Sequence, residues 1–362
     1  MRLQGIFAPP NSNDLVGVAL QSAASCAIAL MISIGAPSIA SADEDGLSFW
    51  LPGLFGSLAA VPQQPGFSLA SIYYHTSLSA GADVALAREI TIGKVPVEAN
   101  ARAVASLSAD GNIVLFLPSY VFATPILGGQ AAVALMAPVG QSNASIAGSL
   151  TGTLSTPFGT LPFARSANVG NSVVGIGDLY PQAFLRWNMG LSNFMTYATG
   201  DIPIGTYGRG NLANIGIGHG AIDGGLGYTY FDQKEGHEFS GVLGFTYNLI
   251  NPSTNYQNGV DLHFDWAASQ FLTKQIQVGA VGYVYKEIGC DSGAGDRVGC
   301  FRSQVFGAGP QAGYIFPVAD MQGYLNVKGY KEFDARDRPA GWNVWVTLSL
   351  SPAPAEQAPA RQ

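Results

Sequence analysis

The chain has 362 residues, a formal net charge of −7 at pH 7 and only 11% charged residues. Typical soluble domains carry roughly 25% charged residues, and the mean hydropathy of this chain is high, at +0.21. An acidic chain without a basic stripe has nothing to replace phosphate counterions, which excludes nucleic acid as an expected partner.

An apolar chain of this kind favours a membrane protein built from strands. Beyond the N-terminus no run of about 18 apolar residues occurs, so no transmembrane helix is predicted there. In hydrocarbon every backbone N–H and C=O group must be paired internally, which leaves only helices or closed sheets. We therefore predict an all-β fold, a transmembrane antiparallel β-barrel.

The first 42 residues have the features of an export signal. Arg2 supplies a positive charge, residues 16–34 supply an apolar region, and Ala40-Ser41-Ala42 gives a small-x-small pattern before an acidic run. We expect a signal peptide over 1–42, cleaved after Ala42. The alternative is an N-terminal helix that is not cleaved.

Residues 43–66 are too rich in glycine and proline for a regular element. They precede the first predicted strand, and their apolar side chains, Trp50 and Phe55 among them, must be covered somewhere. A position inside the barrel would cover them, so we predict that this segment plugs the lumen.

From residue 67 onward, segments of about ten residues alternate between apolar and polar and are separated by turn residues. We expect about 14 strands, with 12 as the alternative, in a barrel over 67–351 that is followed by a polar tail at 352–362. The predicted strands are 67–77, 95–108, 112–122, 130–139, 145–154, 181–188, 191–199, 224–231, 238–249, 258–269, 275–286, 303–316, 321–330 and 342–351.

The connections between these strands support a barrel. If the chain enters at the first strand, every second connection returns to the entry side and should be short. The short connections are 109–111, 140–144, 189–190, 232–237, 270–274 and 317–320, and the long ones at 80–94, 155–180, 200–223 and 287–302 fall on the opposite side. The brief connection at 125–129 is the exception.

The strand at 258–269 shows the alternation most clearly. Val260, Leu262, Phe264 and Trp266 alternate with Asp261, His263, Asp265 and Ala267. Successive side chains of a strand point to opposite faces, and in a membrane barrel the apolar face meets lipid while the polar face meets the lumen. We expect a polar lumen wall of Arg186, Asp261, His263, Asp265 and Lys328. Solute contacts are expected at Trp50, Phe55, Phe184, Tyr324 and Trp345.

His263 allows three interpretations. A hydrogen-bonded polar wall, with Asp261 and Asp265 holding an imidazolium, is favoured over a cation site in the lumen. A lipid hydrolase would need a serine hydroxyl within reach of a histidine, and Ser240 with His263 is conceivable because the two lie on adjacent predicted strands.

Two further stretches have plainer interpretations. Cys290 and Cys300 flank a short glycine-rich loop, and such a pair in an exported protein predicts a disulfide. Metal binding by these thiols would need further ligands nearby, and neither a metal nor a cofactor is expected. The glycine-rich stretch 216–225 lacks a lysine and a following helix, which favours an outer loop over a phosphate site.

Several separate motifs resemble the family of outer-membrane proteins named for the meta pathway of phenol degradation. They are 51–56 with 65–67, 185–188, 200–205, 216–225, 256–266, 309–311 and 326–330. The resemblance covers nearly the whole mature chain. It implies a Gram-negative outer-membrane barrel that admits hydrophobic or aromatic compounds, and it brings no catalytic residues. The chain departs from outer-membrane barrels at large because its last strand runs into a proline-rich polar tail.

The expected function is therefore a channel or transporter, not an enzyme, for passive uptake of small hydrophobic or aromatic compounds. Its expected partners are outer-membrane lipid and those solutes. One alternative is an outer-membrane esterase or lipase. The other is a structural or surface-recognition barrel with a closed lumen, whose loops at 155–180 and 287–302 bind a partner.

Overall fold

The structure of the protein is a computed structural model that describes residues 48–92, 95–296, 299–300 and 302–354. The predicted signal peptide, the first residues of the predicted plug (43–47) and most of the polar tail lie outside the described residues. No helix in the described part of the chain is long and apolar enough to cross a membrane. All of the regular structure described is β.

The described residues form thirteen strands. They are β1 Gly66–Ile92, β2 Val95–Val121, β3 Gln130–Thr156, β4 Gly159–Ile176, β5 Tyr180–Met189, β6 Ser192–Gly200, β7 Ala221–Asp232, β8 His237–Asn248, β9 Val260–Phe271, β10 Ile276–Glu287, β11 Gln304–Val318, β12 Met321–Arg336 and β13 Ala340–Pro352. Residues 84–103 and 150–165 belong to a smaller compact unit, and the remaining described residues belong to a larger one.

The strands form a closed antiparallel barrel with twelve positions around the ring. From β5 to β13 each strand pairs with the next, β13 pairs with β1, β1 pairs with β2, and the pairing of β2 with β3 closes the sheet. β3 also pairs with β4 and, through Gln130 to Met136, with β5. Twelve ring positions plus the additional strand β4 agree with the smaller of the two predicted counts.

The ring has 12 strands rather than 14 because two of the predicted turns lie inside strands. Residues 109–111 lie within β2, and residues 140–144 lie within β3. A methyl group on Gly140 would overlap the backbone of Asn112 and Ile113 on the neighbouring strand. Glycine inside a strand often marks such a close backbone approach rather than a turn. With the two turns removed, the connection at 125–129 moves to the entry side and is no longer an exception.

β4 was not predicted as a strand, because its residues lie in the stretch 155–180 that was predicted to be a loop. Most of its side chains are exposed, and its exposed positions include neighbours such as Arg165, Ser166 and Ala167. Without one buried face, the period-two signal for a strand is lost.

The two faces of the strands differ as predicted. On β8, Phe239, Phe245 and Tyr247 are exposed, while Ser240 and Thr246 are buried. Inward-facing polar side chains and an outward-facing apolar surface are the arrangement of a barrel that faces lipid.

The connection between β10 and β11 carries the disulfide between Cys290 and Cys300, whose Cα atoms are 4.6 Å apart. The bond therefore joins the two sides of the loop that leads from one strand into the next.

Candidate functional site

Two inward-facing charged side chains bind the main chain of residues 48–65, which we call the N-terminal segment. The Asp265 carboxylate accepts hydrogen bonds from the backbone N–H groups of Gly53 and Phe55, at 2.9 and 3.1 Å. The Lys328 ammonium donates to the carbonyl oxygens of Gly53, Leu54 and Phe55, at 2.6, 3.3 and 3.2 Å. One short turn of backbone is thus held through both its donors and its acceptors.

Further wall residues hold the rest of the segment. Glu238 accepts from the Ser57 hydroxyl and from the Leu58 N–H, at 2.8 and 3.0 Å. Thr229 accepts from the Ala60 N–H at 3.1 Å. The Gln130 amide accepts from the Gln63 N–H and donates to the Gln63 carbonyl, at 2.7 and 2.6 Å.

His263 links the segment to the wall through its ring face and one ring nitrogen. The indole of Trp50 stacks on the imidazole, and Nε2 of His263 lies 2.8 Å from the Asp223 carboxylate. Thr246 donates to the same carboxylate at 2.6 Å. The residue opposite His263 on β8 is Gly244, where a methyl group would overlap both His263 and Tyr197. The missing side chain at Gly244 leaves the imidazole room to cross to β7.

Asp261 and Asp265 were expected to hold His263 by hydrogen bonds, but its hydrogen-bonded carboxylate is that of Asp223. Asp265 binds the N-terminal segment, and Asp261 accepts from Asn248 at 2.9 Å. Same-face residues of one strand are roughly 6.5 Å apart, so a partner on a neighbouring strand is the closer one. All five residues predicted for the polar wall are nevertheless buried: Arg186, Asp261, His263, Asp265 and Lys328.

A cavity of about 160 Å³ lies between the N-terminal segment and the wall formed by β1, β2, β3, β5 and β6. Its apolar lining includes Trp50, Phe55, Leu117, Met136 and Phe184. Its polar lining includes Arg186, Gln182, Tyr197 and Thr199. We call it the ring cavity because an engineered apolar cavity of about 150 Å³ is large enough to hold benzene.

A second cavity, of about 910 Å³, lies at the entry end of the barrel. It is lined by residues of the turns after β7 and β9 and by Tyr324, and it shares Phe55, Leu117 and Arg186 with the ring cavity. We call it the entry vestibule. The shared residues mark the boundary between the two spaces.

The predicted solute contacts divide between these spaces. Trp50, Phe55 and Phe184 line the ring cavity, and Tyr324 lines the entry vestibule. Trp345 lines neither of these two cavities. It is buried against the ring of Tyr74, with centroids 4.4 Å apart, and lies near the ammonium of Lys328.

Sequence reasoning missed the contribution of β6 to the ring cavity. Met195, Tyr197 and Thr199 are buried along that strand, whereas Phe194 is exposed. The alternation was present in the predicted strand 191–199, but large apolar or aromatic residues occupy both faces, so the pattern does not say which face is inward.

Ser240 and His263 do not meet. The Ser240 hydroxyl lies 2.7 Å from Thr229 Oγ1 and donates to Glu238, while His263 contacts Asp223 and Tyr197. The Ser240 hydroxyl and the His263 ring therefore lack the mutual hydrogen bond that a hydrolase needs.

Asp178, which lies between β4 and β5, binds the connection between β6 and β7. Its carboxylate accepts from the N–H groups of Gly205 and Ile217, at 2.6 and 2.7 Å. Burial raises the pKa of Asp178. Asp201 lies at the start of the same connection, and neither of its carboxylate oxygens has a hydrogen-bond partner among the described residues. Burial first, and the charge of Asp178 second, raise the pKa of Asp201 from 3.8 to about 8.

Comparison with solved structures identifies similar barrels. An outer membrane channel from Pseudomonas putida F1 is 12% identical, with a TM-score of 0.56, and the match covers 80% of this chain and 96% of the channel. A FadL homologue from Pseudomonas aeruginosa is 8% identical with a TM-score of 0.36, over 83% of this chain and 94% of the homologue. The first likeness supports the barrel fold.

Comparison of the sequence with family models assigns the chain to a family. No curated protein matches the chain. The family model described as "Putative MetA-pathway of phenol degradation" matches residues 95–348, which is most of the barrel and includes the majority of the motifs on which the resemblance rests. The chain belongs to this phenol-degradation family of β-barrel proteins.

Proposed function

We propose that the protein is an outer-membrane channel for passive uptake of small hydrophobic or aromatic compounds, and that its N-terminal segment is the plug. The observation that carries the proposal is the position of Phe55 and Arg186, which line both the ring cavity and the entry vestibule. A solute that leaves the ring cavity towards the entry end must pass these two residues.

The hydrogen bonds of the N-terminal segment support the role of a plug. Asp265 and Lys328 are buried charges that form hydrogen bonds with the backbone of residues 53–55. A buried charge that loses its partners is strongly unfavourable. Displacing the segment would therefore leave Asp265 and Lys328 unpaired, which stabilises the segment in its place. Removing the segment should open the lumen.

Conductance across a planar bilayer tests the proposal. We expect the mature protein to conduct little and a form lacking residues 43–64 to conduct more. A finer variant, Asp265→Asn with Lys328→Met, keeps the segment but removes its two charged holders, and we expect an intermediate conductance. Lys331→Met is the matched control, because Lys331 is exposed on the same strand as Lys328.

Uptake of labelled phenol into proteoliposomes supplies the second measurement. Faster uptake with the shortened form would support the channel. If neither form conducts or admits phenol at a rate above that of protein-free vesicles, the proposal is wrong. An esterase assay on the wild type and on His263→Ala tests the hydrolase alternative. Deletion within 287–302 tests the surface-recognition alternative, which expects loss of adhesion with unchanged solute uptake.

A further inference from the structure

We propose that the ring cavity is a binding site for an aromatic carboxylate, a ring that carries an anionic group, with the Arg186 guanidinium as the anion-binding residue. This inference rests on the proposed function and narrows its solute class. The proposed uptake of small apolar compounds gives no role to a positive charge within the cavity.

The charge of Arg186 has no anionic partner among the residues that the structure describes. The side chain is buried, and its contacts are a 3.3 Å hydrogen bond from Nε to the Ala59 carbonyl and a position 4.7 Å above the Phe184 ring. No carboxylate of the described chain forms an ion pair with it. Asp223 is bound by His263 and Thr246, and Asp265 is bound by the N-terminal segment. A buried charge is normally paired, so the cavity has an unmatched positive group.

The bond made by Nε leaves the two terminal nitrogens of Arg186 for other partners. A guanidinium binds a carboxylate through two parallel N–H bonds, a geometry that a neutral amide or a hydrocarbon cannot match. The same residue lines both cavities. An anion bound there would therefore lie at the boundary that a solute must cross.

Two more donors in the cavity wall have no partner among the described residues. The indole Nε1 of Trp50 and the hydroxyl of Thr199 are buried and make no hydrogen bond within that part of the chain. Both residues line the ring cavity. Buried donors without partners are unusual in folded proteins, so the wall of the ring cavity contains unsatisfied polar groups in addition to Arg186.

The remaining walls fit an aromatic ring. Trp50, Phe55 and Phe184 supply ring faces, and Leu117 and Met136 supply aliphatic surface. The volume of about 160 Å³ holds one six-membered ring with a small substituent. The cavity thus combines a ring-sized apolar space with one cation.

Binding of fluorinated probes to the full mature chain in detergent tests the inference by fluorine NMR. The probes are 4-fluorobenzoate, its neutral counterpart 4-fluorobenzamide, and trifluoroacetate, which is an anion without a ring. We expect 4-fluorobenzoate to bind about ten-fold more tightly than 4-fluorobenzamide, because charge-assisted hydrogen bonds are the stronger ones. Trifluoroacetate should bind more weakly than either aromatic probe.

Three variants locate the preference. Arg186→Met and Arg186→Gln should bind both aromatic probes equally, and Arg186→Lys should keep part of the preference, because lysine retains the charge without the planar fork. Arg336→Met is the control, since that arginine is exposed and pairs with Asp334, and it should leave the preference unchanged. Folding of each variant is checked by its heat-dependent mobility on a gel.

Three results would overturn the inference: equal binding of the two aromatic probes to the wild type, a preference that survives in Arg186→Met, or trifluoroacetate binding as tightly as 4-fluorobenzoate. Failure of the carboxylate site can be distinguished from failure of the proposed channel. Equal binding of the aromatic probes beside a conducting shortened form would refute the carboxylate site alone. A clear preference beside two non-conducting forms would support the site and refute the channel.

Discussion

The indole of Trp50 lies nearly parallel to the imidazole of His263, with ring centroids 3.6 Å apart and an angle of 14° between the planes. The imidazole is fixed in turn by Asp223, at 2.8 Å. A residue of the N-terminal segment is therefore packed on a ring that two strands hold in position. Movement of the segment requires this stack to separate.

Replacing Trp50 with alanine should loosen the segment. The indole is only 3% exposed, and truncating a buried tryptophan costs about 3–5 kcal/mol in well-packed sites. We expect higher single-channel conductance and faster proteolysis within residues 48–65. Trp342→Ala is the control because that side chain is 44% exposed on the outward face. A conductance equal to that of the wild type would show that the stack does not hold the segment.

Gly244→Ala should break the contact between His263 and Asp223. The added methyl group would overlap the His263 ring and the Tyr197 hydroxyl, and overpacking typically costs about 1–3 kcal/mol. We expect a lower thermal unfolding midpoint and the same rise in conductance that Trp50→Ala produces. Gly148→Ala, where no atom lies within 4 Å of the added carbon, should change neither measurement. An unchanged midpoint in Gly244→Ala would contradict the crowding argument.

The connection 201–220 should become less stable as pH rises. The pKa of Asp201 is raised from 3.8 to about 8 by burial first and by Asp178 second. Between those pH values the folded state binds more protons than the unfolded state, so stability is greatest at low pH and falls as pH rises through that window. Hydrogen exchange over 201–220, corrected for its intrinsic pH dependence, should be faster near pH 9 than near pH 5.

Asp201→Asn should remove most of that pH dependence, because the amide resembles the protonated acid in shape and carries no charge. Asp320→Asn, at an exposed turn of the entry end, should leave it intact. If the exchange difference is the same in Asp201→Asn as in the wild type, another group controls the connection.

Loss of the disulfide should destabilise the connection between β10 and β11. The two cysteines are separated by 10 positions, and closing a loop of that length stabilises by about 2–3 kcal/mol in the chain-entropy model. The double variant Cys290→Ser and Cys300→Ser should unfold at a lower temperature, and reducing agent should lower the wild-type midpoint by a similar amount. If the double variant has the same thermal unfolding midpoint as the wild type, the disulfide has no stabilising role.

Much of the fold was predictable because alternation is a strong signal where one face is inward and polar. β8 and β9 were predicted with the correct faces, since Ser240 and Asp265 alternate with large apolar side chains. The count was harder, because Gly111 and Gly140 resemble turn residues. Gly140 is small for a different reason, which is the close approach of a neighbouring strand, whereas Gly111 makes only ordinary contacts inside β2.

The partners within the site were less predictable than its members. Asp265 and Lys328 were expected in the polar wall, but their partners are backbone groups of residues 53–55, and every residue type carries the same backbone groups. Asp223 was missed as the partner of His263, because the contact depends on the absent side chain of Gly244 between them. Pairings across strands depend on register, which period-two patterning alone does not determine.

The main-chain binding of residues 53–55 separates the anchoring of the segment from the lining of the ring cavity. Asp265 and Lys328 hold N–H and C=O groups, so the side chains of Leu54 and Phe55 take no part in that attachment. Both side chains line the ring cavity instead. Solute preference can therefore be redesigned at positions 54 and 55 while the anchoring of the segment is preserved.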